Sequence, residues 1–211
     1  MSSEATHVML YGGSRSGKTF INVRALIVRA LAYKSRHAVL RYRFNHIKAS
    51  IIYDTLPKVM DLCWPEVAEK SHLDKSDWFY TLPNGSEIWF GGLDDKERTE
   101  KILGQEYATV FLNECSQISL SARNMAMTRL AQNTPLRLKA YYDCNPPGRS
   151  HWTYKLFVEK VDADRRSPLA HPEDYAAMVM NPRDNVANLP AAYFKTLEAL
   201  PEPQRRRFLF G

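Results

Sequence analysis

Between His7 and Thr19 the chain reads His-Val-Met-Leu-Tyr-Gly-Gly-Ser-Arg-Ser-Gly-Lys-Thr, a short apolar run leading into G-x-x-x-x-G-K-T. Each residue type at that spacing has a chemical use. Gly12, Gly13 and Gly17 let the backbone turn tightly, with Ser14, Arg15 and Ser16 between them, so that successive N–H groups converge on a polyanion. Lys18 brings a cation within reach of β- and γ-phosphates, and the Thr19 hydroxyl is a ligand for Mg²⁺. Phe20, Val23, Ile27, Ala30 and Leu31 then follow at helical spacing. The helix they predict would direct its positive N-terminal end at the same anion. The expectation is ATP with Mg²⁺, bound at the junction of a strand and a helix.

Such a loop needs an acidic partner at the end of a neighbouring strand, to hold the metal and prepare a water. Val110-Phe111-Leu112-Asn113-Glu114 has that form. Glu114 is the candidate to orient or deprotonate the attacking water. Asn113 stands where an aspartate is usual, and its amide oxygen is expected to accept from a Mg²⁺-bound water. A plain helix cap is the other reading of this pair. A third element, Tyr142-Asp143-Cys144-Asn145-Pro146-Pro147, ends the next strand and sets Asn145 near the γ-phosphate, as a sensor of its loss. The same residues also read as a turn.

The elements that must position these groups alternate. His37–Arg43 is a strand candidate, followed by a helical stretch from about Asn45 to Asp61 that ends near Trp64-Pro65. Trp78–Leu82 and Ser86–Phe90 flank Pro83-Asn84-Gly85, a hairpin signal. Tyr107–Leu112 is the near-continuous apolar run of a buried parallel strand. A helix from about Ser121 to Gln132, a strand over Leu136–Tyr142 and a last strand over Tyr175–Met180 follow. Pro190 opens a helix carrying Tyr193, Phe194, Leu197 and Leu200, which Pro201 stops. This is an α/β pattern, a mostly parallel sheet with helices on both faces.

A chain of 211 residues with 45 % hydrophobic and 25 % charged residues suits one such domain, residues 1–211. There is no apolar run of membrane-spanning length and no signal-peptide pattern, so no membrane is expected and a cytosolic setting is the default. Three cysteines without C-x-x-C spacing argue against a disulfide framework or a zinc site. The net charge of +6 favours a polyanionic partner. It gathers at Arg41, Arg43 and Lys48, at Arg123, Arg129, Arg137 and Lys139, and at Arg205–Arg207, each either a solvated face or part of a nucleic-acid track.

In order and spacing these pieces resemble the N-terminal ATPase domain of the tailed-phage terminase large subunit, the DNA-packaging motor with an ASCE-type P-loop NTPase fold. The resemblance runs from the Gly12–Thr19 loop through Leu82-Pro83-Asn84-Gly85-Ser86, Phe90–Asp94, Lys101-Ile102-Leu103-Gly104 and Val110–Glu114. It continues through Asn145-Pro146-Pro147 and from Asn181-Pro182 to Gly211. It implies that Lys18 and Thr19 bind phosphate and Mg²⁺, that Glu114 is the catalytic carboxylate, that Asn145 couples hydrolysis to movement and that Arg15 contacts the γ-phosphate. It also implies sequence-independent contact with double-stranded DNA, partnership with a portal protein and a small terminase subunit, assembly as a homo-oligomeric ring, and work in the host cytoplasm. An arginine supplied by a neighbouring subunit belongs to the same picture, with Arg98 and Lys101 as candidates.

Two departures stand out. Asn113 puts an uncharged side chain at the metal position. The family places a nuclease after this region, whereas this sequence ends at Gly211 with no surplus Asp/Glu cluster for a two-metal site. No nuclease activity is therefore expected in it, whether it is an isolated ATPase domain or a shortened subunit. The competing readings are a helicase-like or kinase P-loop domain, and a nucleotide-gated assembly module with little turnover, which Asn113 keeps open.

Overall fold

The computed structural model describes residues 3–94 and 96–211, without the side chains of residues 96–98 and 101. Eight strands form one sheet: β1 (His7–Tyr11), β2 (Arg36–Arg41), β3 (His72–Asp74), β4 (Phe79–Thr81), β5 (Glu87–Gly92), β6 (Thr109–Leu112), β7 (Lys139–Cys144) and β8 (Tyr175–Val179). Their spatial order is β3-β4-β5-β2-β6-β7-β1-β8. From β5 to β8 every pairing is parallel, and only the β3-β4-β5 meander is antiparallel.

Strand periodicity divides the core in two. Val8, Val39, Phe111 and Tyr141 face one side of the sheet, under helix α1 (Lys18–Ala32) and the helical run through residues 44–63. Met9, Ala38, Leu40, Val110, Leu112, Ala140 and Tyr142 face the other, with Ala126, Trp152 and Phe157 packed over them. Alternate residues of one strand point to opposite faces, so strands apolar at every position require cover on both sides. Among the described residues no helix is long and apolar enough to cross a membrane.

The elements differ from the sequence reading in several bounds and in one added strand. The helix expected to reach Gln132 ends at Met127. Beyond it the backbone pairs with Tyr107, and the Gln132 side chain accepts from the Arg36 N–H at the start of β2, so residues 129–132 serve as strand connectors. The strand expected over 136–142 runs from Lys139 to Cys144. The hairpin gains a third strand, β3, that the sequence pattern did not suggest.

Part of the expected basic track is internal. Arg123 is 7 % exposed, its guanidinium donating to the Tyr142 and Tyr175 hydroxyls, and the Lys139 ammonium donates to the carbonyls of Ser3 and Ala5. Cation–π and hydroxyl contacts replace water around Arg123, so this pair is withdrawn from any DNA-facing surface. Arg43, Arg206 and Arg207 remain exposed. All three cysteines are free thiols.

Candidate functional site

The carboxyl ends of β1, β2, β6 and β7 meet along one edge of the sheet. In register, Leu10 of β1 pairs with Asp143 of β7, and Leu112 of β6 pairs with Tyr142. The Gly12–Thr19 loop therefore emerges beside Asp143 and Asn145, with Asn113 and Glu114 one strand further on. A cleft of about 1090 Å³ opens above this edge. Its floor holds Ser14–Ile21, Glu114, Asp143 and Asn145. Asp54, Lys58 and Asp61, and from a separate segment Asp184, Asn185 and Asn188, add to its lining. A volume of that order accommodates a nucleotide-sized ligand.

The loop is shaped by two glycines for different reasons. Gly17, at φ 86°, lies in the left-handed region and caps α1 without a side chain, leaving the first-turn N–H groups free of a side-chain cap. Gly13 sits so close to the C-terminal segment that a Cβ would lie 2.4 Å from the Phe208 carbonyl oxygen. That carbonyl accepts from the Ser14 N–H at 2.9 Å, and Asn181 Oδ1 accepts from the Gly13 N–H at 2.9 Å. Two distant parts of the chain thus brace the loop from behind.

Lys18 is buried, and its ammonium donates to the carbonyls of Gly12 and Gly13, to Ser16 Oγ at 3.0 Å and to Asn145 Oδ1 at 3.4 Å. These partners are neutral oxygens. Burial lowers its pKa, while Asp143 and Glu114 act in the opposite direction. A cation whose hydrogen-bond partners are all neutral, at the positive end of a helix, fits a polyanionic ligand.

Asp143 is the carboxylate nearest the loop, and the sequence reading assigned it no role. It is 2 % exposed and accepts from Thr19 Oγ1 at 2.6 Å, from Asn113 Nδ2 at 2.9 Å and from the Glu114 N–H at 2.7 Å. Burial, then the nearby Glu114 charge, pushes its pKa up to about 6, against the pull of those hydrogen bonds and of Lys18.

Asn113 presents the opposite end from the one expected. Its Oδ1 accepts from Arg41 Nη1 at 3.2 Å, and its amide donor group faces Asp143 and Thr19. A guanidinium on one side and a carboxylate on the other fix that orientation, because the flipped amide would set like against like at both. A donor rather than an acceptor faces the loop, which corrects the expectation of an Asn113 oxygen turned to the metal.

Glu114 lies half-buried in the cleft, its backbone at φ 50° held in the left-handed region by its N–H bond to Asp143. Asn145 also donates to Ser14 Oγ at 3.2 Å. Arg15 is exposed at the cleft, 5.8 Å from the Tyr193 ring centroid, and its carbonyl accepts from Asn185. The structure thus gathers Gly12–Thr19, Asn113, Glu114 and Asn145 at one edge. The side chains of Arg98 and Lys101 lie outside the described residues. Among the described residues no group of three or more His, Cys, Asp or Glu could hold a metal alone. The Thr19 hydroxyl and Asp143 carboxylate are hard oxygen donors that suit Mg²⁺ shared with phosphate oxygens.

A family model for the phage terminase large subunit matches residues 4–210. The PBSX phage terminase large subunit of Bacillus subtilis (strain 168) is 26 % identical over 214 residues, covering 94 % of this chain and 46 % of that protein. Among solved structures, the large terminase of a thermophilic bacteriophage in complex with ADP superposes with a TM-score of 0.78 at 15 % identity, over 98 % of this chain and 48 % of that one. The large terminase ATPase domain of Thermus phage P74-26 gives 0.66 at 14 % identity, over 99 % of this chain and 88 % of that one. At these identities the structural likeness speaks for the fold. The chain spans about half the length of the PBSX protein and of the ADP-bound terminase.

Proposed function

The chain belongs to the phage terminase large subunit family, and from that premise we propose that it is the ATP-hydrolysing unit of a DNA-packaging motor. The observation that carries the reading is Lys18, a buried ammonium held by neutral oxygens at the helix N-terminus, with Asn145 bound to it and Glu114 in the same cleft. The ADP complex of the thermophilic phage's large terminase supports a nucleotide as the ligand.

Bound ATP offers Lys18 phosphate oxygens in exchange for the Gly12 and Gly13 carbonyls, and the loop N–H groups and the α1 terminus hold the same phosphates. Thr19 would be among the residues that hold Mg²⁺, and the metal would supply neutralisation of phosphate charge. Glu114 orients and deprotonates the attacking water. Asn145, bound to both Lys18 and Ser14, registers the γ-phosphate and passes its loss to the rest of the domain. Arg15 reaches the γ-phosphate from the exposed side.

The same reading makes double-stranded DNA the track, contacted through its phosphates without sequence preference. It assigns a portal protein and a small terminase subunit as partners, a homo-oligomeric ring as the working form and the host cytoplasm as the setting. Nuclease chemistry is not assigned to residues 1–211. Steady-state ATP hydrolysis tests the proposal, with and without duplexes of two unrelated sequences, at two salt concentrations and in Glu114→Ala. Stimulation by either duplex that fades with salt, and loss of turnover in the variant, are expected. Turnover in the assembled packaging complex that ignores DNA would overturn the motor reading.

A further inference from the structure

We infer that Asp143, at the end of β7, is the carboxylate that holds the nucleotide's Mg²⁺ together with Thr19, in place of the residue at 113. The inference rests on the ATPase reading and adds the identity of the metal-holding acid.

The geometry points there from three directions. Thr19 Oγ1 and Asp143 Oδ2 lie 2.6 Å apart, near the spacing of about 2.9 Å between adjacent oxygens of a Mg²⁺ octahedron with bonds of about 2.0–2.1 Å. Asn113, at the end of β6, cannot serve, because its oxygen is taken by Arg41 and its amide donates into the site. Asn113 and the Glu114 N–H instead donate to Asp143, clamping its carboxylate on the Thr19 side of the loop. Outer partners of this kind fix a ligand's orientation. A buried carboxylate surrounded by donors, with a metal-ligating hydroxyl in contact, is half of a hard-cation site whose other half is phosphate. In effect the acid has moved one strand over, from β6 to β7. The amide left behind at 113 has become the carboxylate's positioning residue.

The test is binding of a fluorescent ATP analogue to the intact chain, titrated once in Mg²⁺ and once in EDTA. In the unsubstituted protein Mg²⁺ tightens binding by about tenfold or more. In Asp143→Asn that enhancement shrinks to within about threefold of unity, while affinity in EDTA holds or improves because a negative charge has left the phosphates' surroundings. A purely structural role would weaken both titrations alike, and that result overturns the inference, as does a full Mg²⁺ enhancement in the variant. Asp143→Ser keeps an acceptor for the Glu114 N–H and answers the same question if the amide variant does not fold. Binding in EDTA with no effect of Mg²⁺ in the unsubstituted protein defeats the inference and leaves the nucleotide site standing. No binding in either titration defeats both.

Discussion

Asn145 links Lys18 to Ser14 across the phosphate loop, accepting from the Lys18 ammonium at 3.4 Å and donating to Ser14 Oγ at 3.2 Å. One side chain thus touches both the buried Lys18 ammonium and the middle of the loop, the two groups proposed to hold the phosphates. Asn145→Ala removes that link and leaves the loop N–H groups and Lys18 in place. Nucleotide affinity should stay within about threefold, because the groups that hold the ground state remain. The value of kcat should fall by about tenfold, the equivalent of a hydrogen bond to a charged group worth about 1.5 kcal/mol. Parallel binding and turnover measurements check this; an unchanged kcat removes Asn145 from the mechanism.

Lys18 carries a cost of its own. Its ammonium is buried among carbonyls, and desolvation is the largest influence lowering its pKa. A buried ammonium with only neutral hydrogen-bond partners carries a desolvation cost that an apolar side chain of similar length does not. Lys18→Met should bind the ATP analogue at least about a hundredfold more weakly if Lys18 is the proposed phosphate-binding cation. Its urea-unfolding stability without nucleotide should equal or exceed that of the parent. A variant markedly less stable than the parent would make Lys18 a structural residue first.

The loop was legible in the sequence because its chemistry is local. Glycines, a lysine and a threonine at fixed offsets report themselves, and helix α1 follows with its apolar stripe. Asp143 was not legible, for a geometric reason. The apolar pattern ends the predicted strand at Tyr142, whereas pairing with β1 carries β7 to Cys144 and buries Asp143 opposite Leu10. No periodicity marks a carboxylate that a neighbouring strand's amide and backbone will satisfy. Asn113 failed in the complementary way, since its position was read correctly and its orientation depends on Arg41, at the end of another strand. The cleft lining at Asp54–Asp61 and Asp184–Asn188 is likewise a product of tertiary packing.

His37 makes stability sensitive to mild acid. It is fully buried on β2, its Nε2 paired with Ser35 Oγ at 2.9 Å, and burial followed by the Arg29 charge lowers its pKa to about 3. The unfolded chain binds a proton near pH 6.5 and the folded chain does not, so this contribution is complete above pH 6.5 and is lost as pH falls toward 3. Asp143 has the opposite sign, since a pKa raised to about 6 favours the folded state as pH falls through that value. The His37 share is isolated by a variant. In His37→Gln the change in unfolding free energy between pH 7 and pH 5.5 should be more favourable to the acid side by about 1 kcal/mol than in the parent. Denaturant titrations at the two pH values measure it, and identical changes in both proteins would show that His37 does not titrate on unfolding.

Gly13 and Gly17 should fail differently when substituted by alanine. Gly17 has φ 86° and nothing within 4 Å of an added Cβ, so Gly17→Ala meets only backbone strain, about 1 kcal/mol. At Gly13 the obstacle is contact, because the new methyl would lie 2.4 Å from the Phe208 carbonyl oxygen and 2.5 Å from Pro182 Cδ. The Phe208 carbonyl is also the acceptor for the Ser14 N–H. The helical segment Arg206–Phe210 must then move away, taking with it a hydrogen bond of the loop. Gly13→Ala should cost about 1–3 kcal/mol of stability, the usual penalty for overpacking. It should also accelerate tryptic cleavage within Arg205-Arg206-Arg207, whereas Gly17→Ala should leave that cleavage near the parent rate. Limited proteolysis followed by mass spectrometry distinguishes the two. Equal cleavage in parent and Gly13→Ala would mean that the C-terminal segment is not held through the loop.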